Sequence, residues 1–318
     1  MSLVVAVAGG TGGVGRAVVE GIVADGSEYS FCASVSYLTI DQADPELEKT
    51  LGAQIVVTDY SSADELAKQL QDKNVLTVVS ALSSQASSLQ EIVLIQAAQK
   101  SSTTTRYIPS VWGAKYTSEQ AWSPLAANKL AFFEALDKTQ LEWTAVANGL
   151  FLDYWGFPHV ESYLQPIILI LDLAANRAAI PGSGNTPVVF TYTRDVAKFT
   201  AKLLTLDKWE PVSYIIGDKV SWNEFVKTAE QVRGKPIEVS YDSIDTLKSG
   251  KITELPSHQH AYPFFPKEAL QGVLSTFGRW IEEGVFNFQP KKTLNDLFSE
   301  VKTTTVKDIL EIHWNNGA

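Results

Sequence analysis

Sulfur and positive charge are scarce in this sequence. One cysteine, Cys32, and one methionine stand among 318 residues. A lone thiol cannot close an intramolecular disulfide, and Cys32 sits in an apolar run, so a buried inert thiol in a reducing, cytoplasmic setting is expected. The 26 basic residues are outnumbered by 36 acidic ones, for a net charge of −10. That field offers no attraction to nucleic acid or anionic lipid, and neither is expected as a partner. Long apolar runs are missing too. The run from Ile167 to Leu171 is stopped by Asp172, far short of the ~20 residues a membrane span needs. The opening MSLVVAVAGGTGG has a strand-length apolar run and neither a basic leader nor a cleavage site, so no targeting segment is expected. Gly-x-Ser-x-Gly elbows and Cys/His pairs are absent, which argues against covalent hydrolysis. His258-Gln259-His260 has no accompanying Cys, Asp or Glu cluster, so no metal site is expected.

With 45% apolar residues, the chain can build one large core or two intimate ones. Short β-rich runs at Leu3 to Ala8, Phe31 to Val35, Gln54 to Val57, Val75 to Ala81, Arg106 to Ser110 and Glu142 to Ala147 alternate with helical patterns near 13–25, 63–72, 87–100 and 124–138. Strands that are apolar throughout and separated by helices predict a parallel sheet buried on both faces. The fold class is therefore α/β, a Rossmann-type doubly wound sheet. After Gly149 the alternation stops and aromatics crowd in. Residues 1–149 are expected to form the dinucleotide-binding domain, with return elements near 188–218, and 150–318 a smaller substrate lobe.

Gly9, Thr11, Gly12, Gly13, Val14, Gly15 and Arg16 lie where the first strand meets the first helix, whose apolar stripe is Val14, Ala17, Val18, Gly21 and Ile22. Glycines there permit a tight turn and bring backbone N–H groups to a pyrophosphate at the positive end of the helix. Binding of a nicotinamide dinucleotide is expected. The second strand ends in Ser34, Val35 and Ser36, with neither the acidic residue that favours NAD nor the arginine that favours NADP. Arg16 is the nearest cation for a 2′-phosphate, with Ser36 or Thr39 assisting. Asp59 is placed either at the adenine edge or as a cap of the helix beginning near Ala63.

Ser123-Pro124 opens a helix in which Leu125, Lys129, Phe132, Phe133 and Leu136 share one face. Lys129 is thus a cation on a face that should be buried. Desolvation lowers the pKa of such a lysine and suits it to general acid/base work or to donating to a developing oxyanion.

These features, with Val79-Ser80-Ala81, the stretch Arg106 to Gly113, Gly149 to Tyr154, Arg194 to Ala197, Ser221 to Glu224 and Leu294 to Phe298, resemble the NmrA-like family. These atypical short-chain dehydrogenases include the isoflavone reductase-like enzymes, and the last two motifs look like its fungal branch. The resemblance implies NADPH rather than NAD as usual cofactor, Lys129 as the reductase lysine, and Ser110 to Gly113, with Trp112, beside the nicotinamide; Ser80 and Ala81 are further cofactor-binding candidates. Trp112 and Val111 stand for the family's phenylalanine and glutamate, and Ser36 for its phosphate-gripping arginine. The tyrosine of ordinary short-chain dehydrogenases would fall at Leu125, so Tyr154, Tyr116 or water could supply a proton and the sequence does not choose among them; Tyr154 is named with Lys129 as a catalytic candidate.

Trp112, Phe151, Tyr154 and Trp155 together suggest a flat apolar cleft for an aromatic or heteroaromatic small molecule, with His258 at its border. His159, in the same aromatic crowd, is a similar candidate. Three activities stay open: an NAD(P)H-dependent oxidoreductase of fungal secondary metabolism, alkaloid biosynthesis for example; a redox-linked cyclase using NADP(H) to trigger a cycloaddition-type ring closure; and a non-catalytic NAD(P) sensor. A monomer or weak homodimer is expected.

Overall fold

Runs of β-branched residues between amphipathic helices set up the first half of the chain, and the computed structural model follows that order. It describes residues 3–25, 29–36, 44–83 and 88–317, with Leu3, 29–36 and 315–317 described as backbone. The side chains of Cys32 and Ser36, and all of Thr39, lie outside the described residues. The chain runs β1 (Leu3–Ala8), α1 (Gly13–Ala24), β2 (Tyr29–Ser36), α2 (Pro45–Leu51), β3 (Gln54–Thr58), α3 (Ala63–Asp72), β4 (Val75–Ser80), α4 (Ser88–Lys100), β5 (Arg106–Ile108), α5 (Pro124–Leu136), β6 (Glu142–Trp143) and β7 (Ala145–Ala147). The first six strands pair in the order β3-β2-β1-β4-β5-β6, all parallel. The order turns back between β1 and β4. In open α/β sheets a ligand binds at such a switch point, beyond the carboxyl ends of the strands. Val5, Val7, Val78 and Val79 are buried in these two central strands, as a sheet covered on both faces requires.

One strand ends earlier than the sequence pattern predicts, and another run is split in two. β5 stops at Ile108 because Pro109 has no N–H to give the ladder. The run from Glu142 to Ala147 breaks at Thr144, whose N–H donates to the Tyr107 carbonyl while its hydroxyl meets that of Ser213 at 2.9 Å.

Onward from Ala147 the chain gives β8 (Leu150–Phe151), a 3-10 turn over Leu152–Trp155, β9 (Leu171–Asp172), β10 (Arg177–Pro181), β11 (Val188–Thr191), α6 (Thr193–Leu204), β12 (Val212–Tyr214), β13 (Asp218–Val220), α7 (Trp222–Arg233), β14 (Glu238–Asp242), α8 (Ile244–Lys248), α9 (Lys267–Glu282), α10 (Leu294–Leu297) and α11 (Val306–Gly317). Two compact units result. The first holds 1–147, 193–215 and 292–301, the second 148–192, 216–291 and 302–318. In the first, β12 pairs parallel with β7 as a separate two-stranded sheet, and α6 packs along α1. In the second, β11 pairs with β8 and β13, and β10 with β14 and β9. Its core is aromatic: Trp155 lies 5.6 Å from Phe190, 5.2 Å from Trp222 and 5.1 Å from Phe225, ring centre to ring centre. Ser221 and Glu224 cap each other's amides at the start of α7, fixing Trp222 and Phe225 against that core. Among the described residues no helix is long and apolar enough to cross a membrane, and no cluster of three or more His, Cys, Asp or Glu could hold a metal ion.

Candidate active site

The turn from β1 into α1 is built by close backbone approach. Gly9 has φ +75°, and a Cβ there would come within 2.6 Å of the Ala81 carbonyl oxygen at the end of β4. A Cβ on Gly15 would fall onto the Gly9 carbonyl. Both positions admit only glycine, and they press the loop against the two central strands. Gly12 and Gly13 are the reverse case: nothing lies within 4 Å of a Cβ built on either. Their backbone faces open space at the N-terminus of a 12-residue helix whose N-cap, Gly12, has no side chain to cover the first amides. Thr11 and Val14 are half-buried beside them. This cradle suits a pyrophosphate, which unpaired N–H groups and the helix dipole would hold.

On the adenosine side the residues are less committed. Arg16 donates from Nε to Glu20 at 3.1 Å, and Glu20 also pairs with Arg194 of α6. Asp59 is exposed and accepts the Ser61 N–H at 2.6 Å, and the Ser61 hydroxyl and amide hold its carboxyl below the usual carboxylate range. It does not cap α3. Ser62 does, accepting the Glu65 N–H at 3.3 Å.

At the carboxyl ends of β4 and β5 the structure brings Ser80, Ser110, Trp112 and Lys129 together in one network, while Ala81 donates its N–H to the Ala8 carbonyl. Trp112 donates from its indole N–H to the Ser80 carbonyl at 2.9 Å, and the Ser110 hydroxyl donates to the Leu82 carbonyl at 2.8 Å. Lys129 donates to the Ser110 carbonyl and lies 5.2 Å from the Phe132 ring centre. Burial pulls its pKa below that of an ordinary lysine, and the charge of Glu91 offsets part of that shift. The helix presents this face much as its spacing predicts, rotated slightly. Ala126, Phe132 and Leu136 are buried, while Leu125 and Phe133 are half-buried. Ser123 begins the helix, but its hydroxyl is buried and makes no cap hydrogen bond.

Glu91 is the residue that the sequence reading missed. It is 2% exposed, in the first turn of α4. It accepts from the Ser80 hydroxyl at 2.5 Å, the Tyr107 hydroxyl at 3.0 Å and the Ser110 N–H at 3.1 Å. A signal for it existed: Glu91, Leu94, Ile95 and Ala98 fall at i, i+3, i+4 and i+7, so a charge sits on a buried stripe, as with Lys129.

Of the residues proposed for substrate, Trp112 belongs to the first unit and Phe151, Tyr154, Trp155 and His258 to the second, and the structure corrects two of them. Trp155 is 2% exposed and consumed by the aromatic core, so it supports the fold instead of a ligand. His258 is also 2% exposed, and its Nδ1 accepts the Leu255 N–H at 3.1 Å, which ties the imidazole to its own loop. Phe151 and Tyr154 are half-buried and remain available. Burial, and the charge of Asp153 next to it, push the Tyr154 hydroxyl up to about 12, and burial alone raises Tyr116 further.

A family model described as NAD(P)H-binding matches residues 9–156. Oxidoreductase BOA1 of Botryotinia fuckeliana (strain B05.10) is 34% identical over 304 residues, covering 93% of this chain and 95% of that protein. The chain belongs to the NmrA-like family. Oxidoreductase swnN of Metarhizium robertsii is another relative of this NmrA-like protein, 30% identical over 345 residues, which cover 98% and 97% of the two chains. A solved structure described as AtPrR2 with NADP+ and (+)pinoresinol superposes with a TM-score of 0.74 at 21% identity, covering 98% of this chain and 99% of that one. The protein is an NAD(P)H-dependent oxidoreductase of the isoflavone-reductase-like type with a Rossmann-type fold.

Proposed function

We propose that this NmrA-like oxidoreductase uses NADPH to reduce an aromatic or heteroaromatic small molecule of secondary metabolism. The observation that carries the proposal is a desolvated lysine, Lys129, fixed on the Ser110 carbonyl at the carboxyl ends of the central strands. The aromatic class is supported by half-buried Trp112, Phe151 and Tyr154, and by the (+)pinoresinol held in the similar solved structure.

The nicotinamide, when bound, supplies hydride. The amides of the Gly12 to Gly15 turn would hold its pyrophosphate, and Ser80, Ala81, Ser110 and Trp112 would flank the ring. Lys129 keeps one donor on the Ser110 carbonyl and has others to offer a developing oxyanion. Tyr154 is the proposed proton donor, since a hydroxyl with a pKa of about 12 carries its proton at neutral pH. Its acidity must then rise as negative charge builds on the acceptor. With 4-deuterated NADPH, deuterium is expected in the product, with one cofactor oxidised per product formed. Label exchange without net cofactor oxidation would instead indicate a redox-neutral cyclisation.

NADPH over NADH rests on Arg16. A guanidinium carries five donors, so its contact with Glu20 is compatible with a 2′-phosphate. Arg16→Ala is expected to weaken NADPH by roughly tenfold, the size of one charge-assisted hydrogen bond, and NADH by less than about twofold. Equal losses for the two cofactors, measured by fluorescence titration, would remove Arg16 from the 2′-phosphate.

A further inference from the structure

We infer that Glu91 is a positioning residue that holds Lys129 as a cation and fixes the residue, Ser110, on whose carbonyl it rests. The inference rests on the proposed role of Lys129 and adds the group that makes that role possible. Its basis is the wiring of three strand and helix ends through one buried carboxylate. Oε1 takes the Ser110 N–H and the Tyr107 hydroxyl, and Oε2 takes the Ser80 hydroxyl. Ser110 is therefore held through both of its flanking peptides, its N–H by Glu91 and its carbonyl by Lys129. The Ser80 carbonyl in turn receives the Trp112 indole. One side chain from α4 thus sets β4, the segment after β5, and the lysine of α5 in register with one another.

The charge argument runs the same way. Burial raises the Glu91 carboxyl above the usual carboxylate range, and the three donors on its two oxygens, with the Lys129 ammonium in electrostatic reach, pull it back toward the ionised form. The titratable groups that face this pair among the described residues are Tyr107 from β5 and Tyr60 from the segment after β3, both held neutral by burial. Neither can replace the carboxylate as a counter-charge to Lys129. The resemblance drawn from the sequence places a glutamate at the position of Val111, which here is 1% exposed and apolar. The structure supplies a carboxylate one residue away, from a different element.

Removing the charge while keeping the shape should lower the proton affinity of Lys129. In protein labelled with 13Cε-lysine, with the signal assigned by Lys129→Arg, the Lys129 titration midpoint in Glu91→Gln is expected at least one pH unit below wild type, a tenfold change in its acid dissociation constant. Tyr107→Phe, which removes a donor but no charge, is expected to move it by less than a third of that. Equal shifts in the two variants, or no shift in Glu91→Gln, would overturn the inference. Should Glu91→Gln not fold, wild-type protein labelled with 13Cδ-glutamate carries the test. A Glu91 carbon at the ionised position at pH 7 that responds as Lys129 titrates supports the inference, and one at the protonated position overturns it. These titrations need no substrate, so they stand apart from turnover measurements, whose retention in Lys129→Ala would sink the catalytic role and leave the Glu91 coupling intact.

Discussion

Gly9→Ala protein is expected to bind NADPH at least about 100-fold more weakly than wild type and to melt on the order of 5 °C lower. Both effects have one source. The new Cβ would lie 2.6 Å from the Ala81 carbonyl oxygen, and backbone cannot swing aside as a long side chain can. The φ of +75° adds strain of roughly 1–3 kcal/mol for any residue with a Cβ. Relief requires the loop to lift from β4, which carries the amides of α1 away from the position where they converge on a pyrophosphate. Gly12→Ala separates the two effects. Its Cβ meets nothing within 4 Å, so the melting temperature should hold while the methyl group enters the space a pyrophosphate needs. Fluorescence titration with NADPH and thermal melts of both variants check this. Unchanged NADPH affinity in Gly9→Ala would mean that the dinucleotide does not use this loop.

The sheet was legible because each strand of the first unit is a local event. A run such as Val75 to Ser80, apolar on both faces and followed by a helix, has few alternatives to a buried parallel strand. The same holds for α5, whose Pro124 and apolar spacing announce its start and its face. The second unit offered no such rhythm, since strands of two residues at 150–151 and 171–172 have no periodicity to detect. There the core depends on non-local meetings, as when Trp155 reaches Phe190 and Trp222. Composition predicts that aromatics will cluster, not whether they line a core or a cleft, and so Trp155 was misplaced. His258 was misplaced for a related reason: an imidazole's partners in a 3-10 turn depend on backbone that the sequence does not specify. Lys129 was found by a rule that applies equally to Glu91. Two opposite charges on the buried stripes of neighbouring helices form one feature, visible only when the two helices are considered together.

Lys129→Ala is expected to lower kcat by about 100-fold or more, within the range of a lost general acid or charge donor, while the Kd for NADPH changes by less than about twofold. The asymmetry follows from position. Lys129 rests on the Ser110 carbonyl beyond the ends of β4 and β5, whereas the proposed pyrophosphate contacts come from the turn before α1. A loss of cofactor affinity as large as the loss of kcat would reassign Lys129 to binding. The pH profile gives a second test with a defined sign. In the proposed role the active form of Lys129 is the ammonium, and burial lowers the pKa at which it is lost. Turnover should therefore be full on the acid side of that lowered pKa and fall as pH rises through it, earlier than an ordinary lysine would allow. Lys129→Arg keeps the cation at every accessible pH, so the alkaline fall should vanish from what activity remains. An alkaline fall that persists unchanged in Lys129→Arg would move that titration to another group, with Tyr154 the first to test. Its pKa of about 12 in the resting protein would then have to drop when substrate and cofactor are bound.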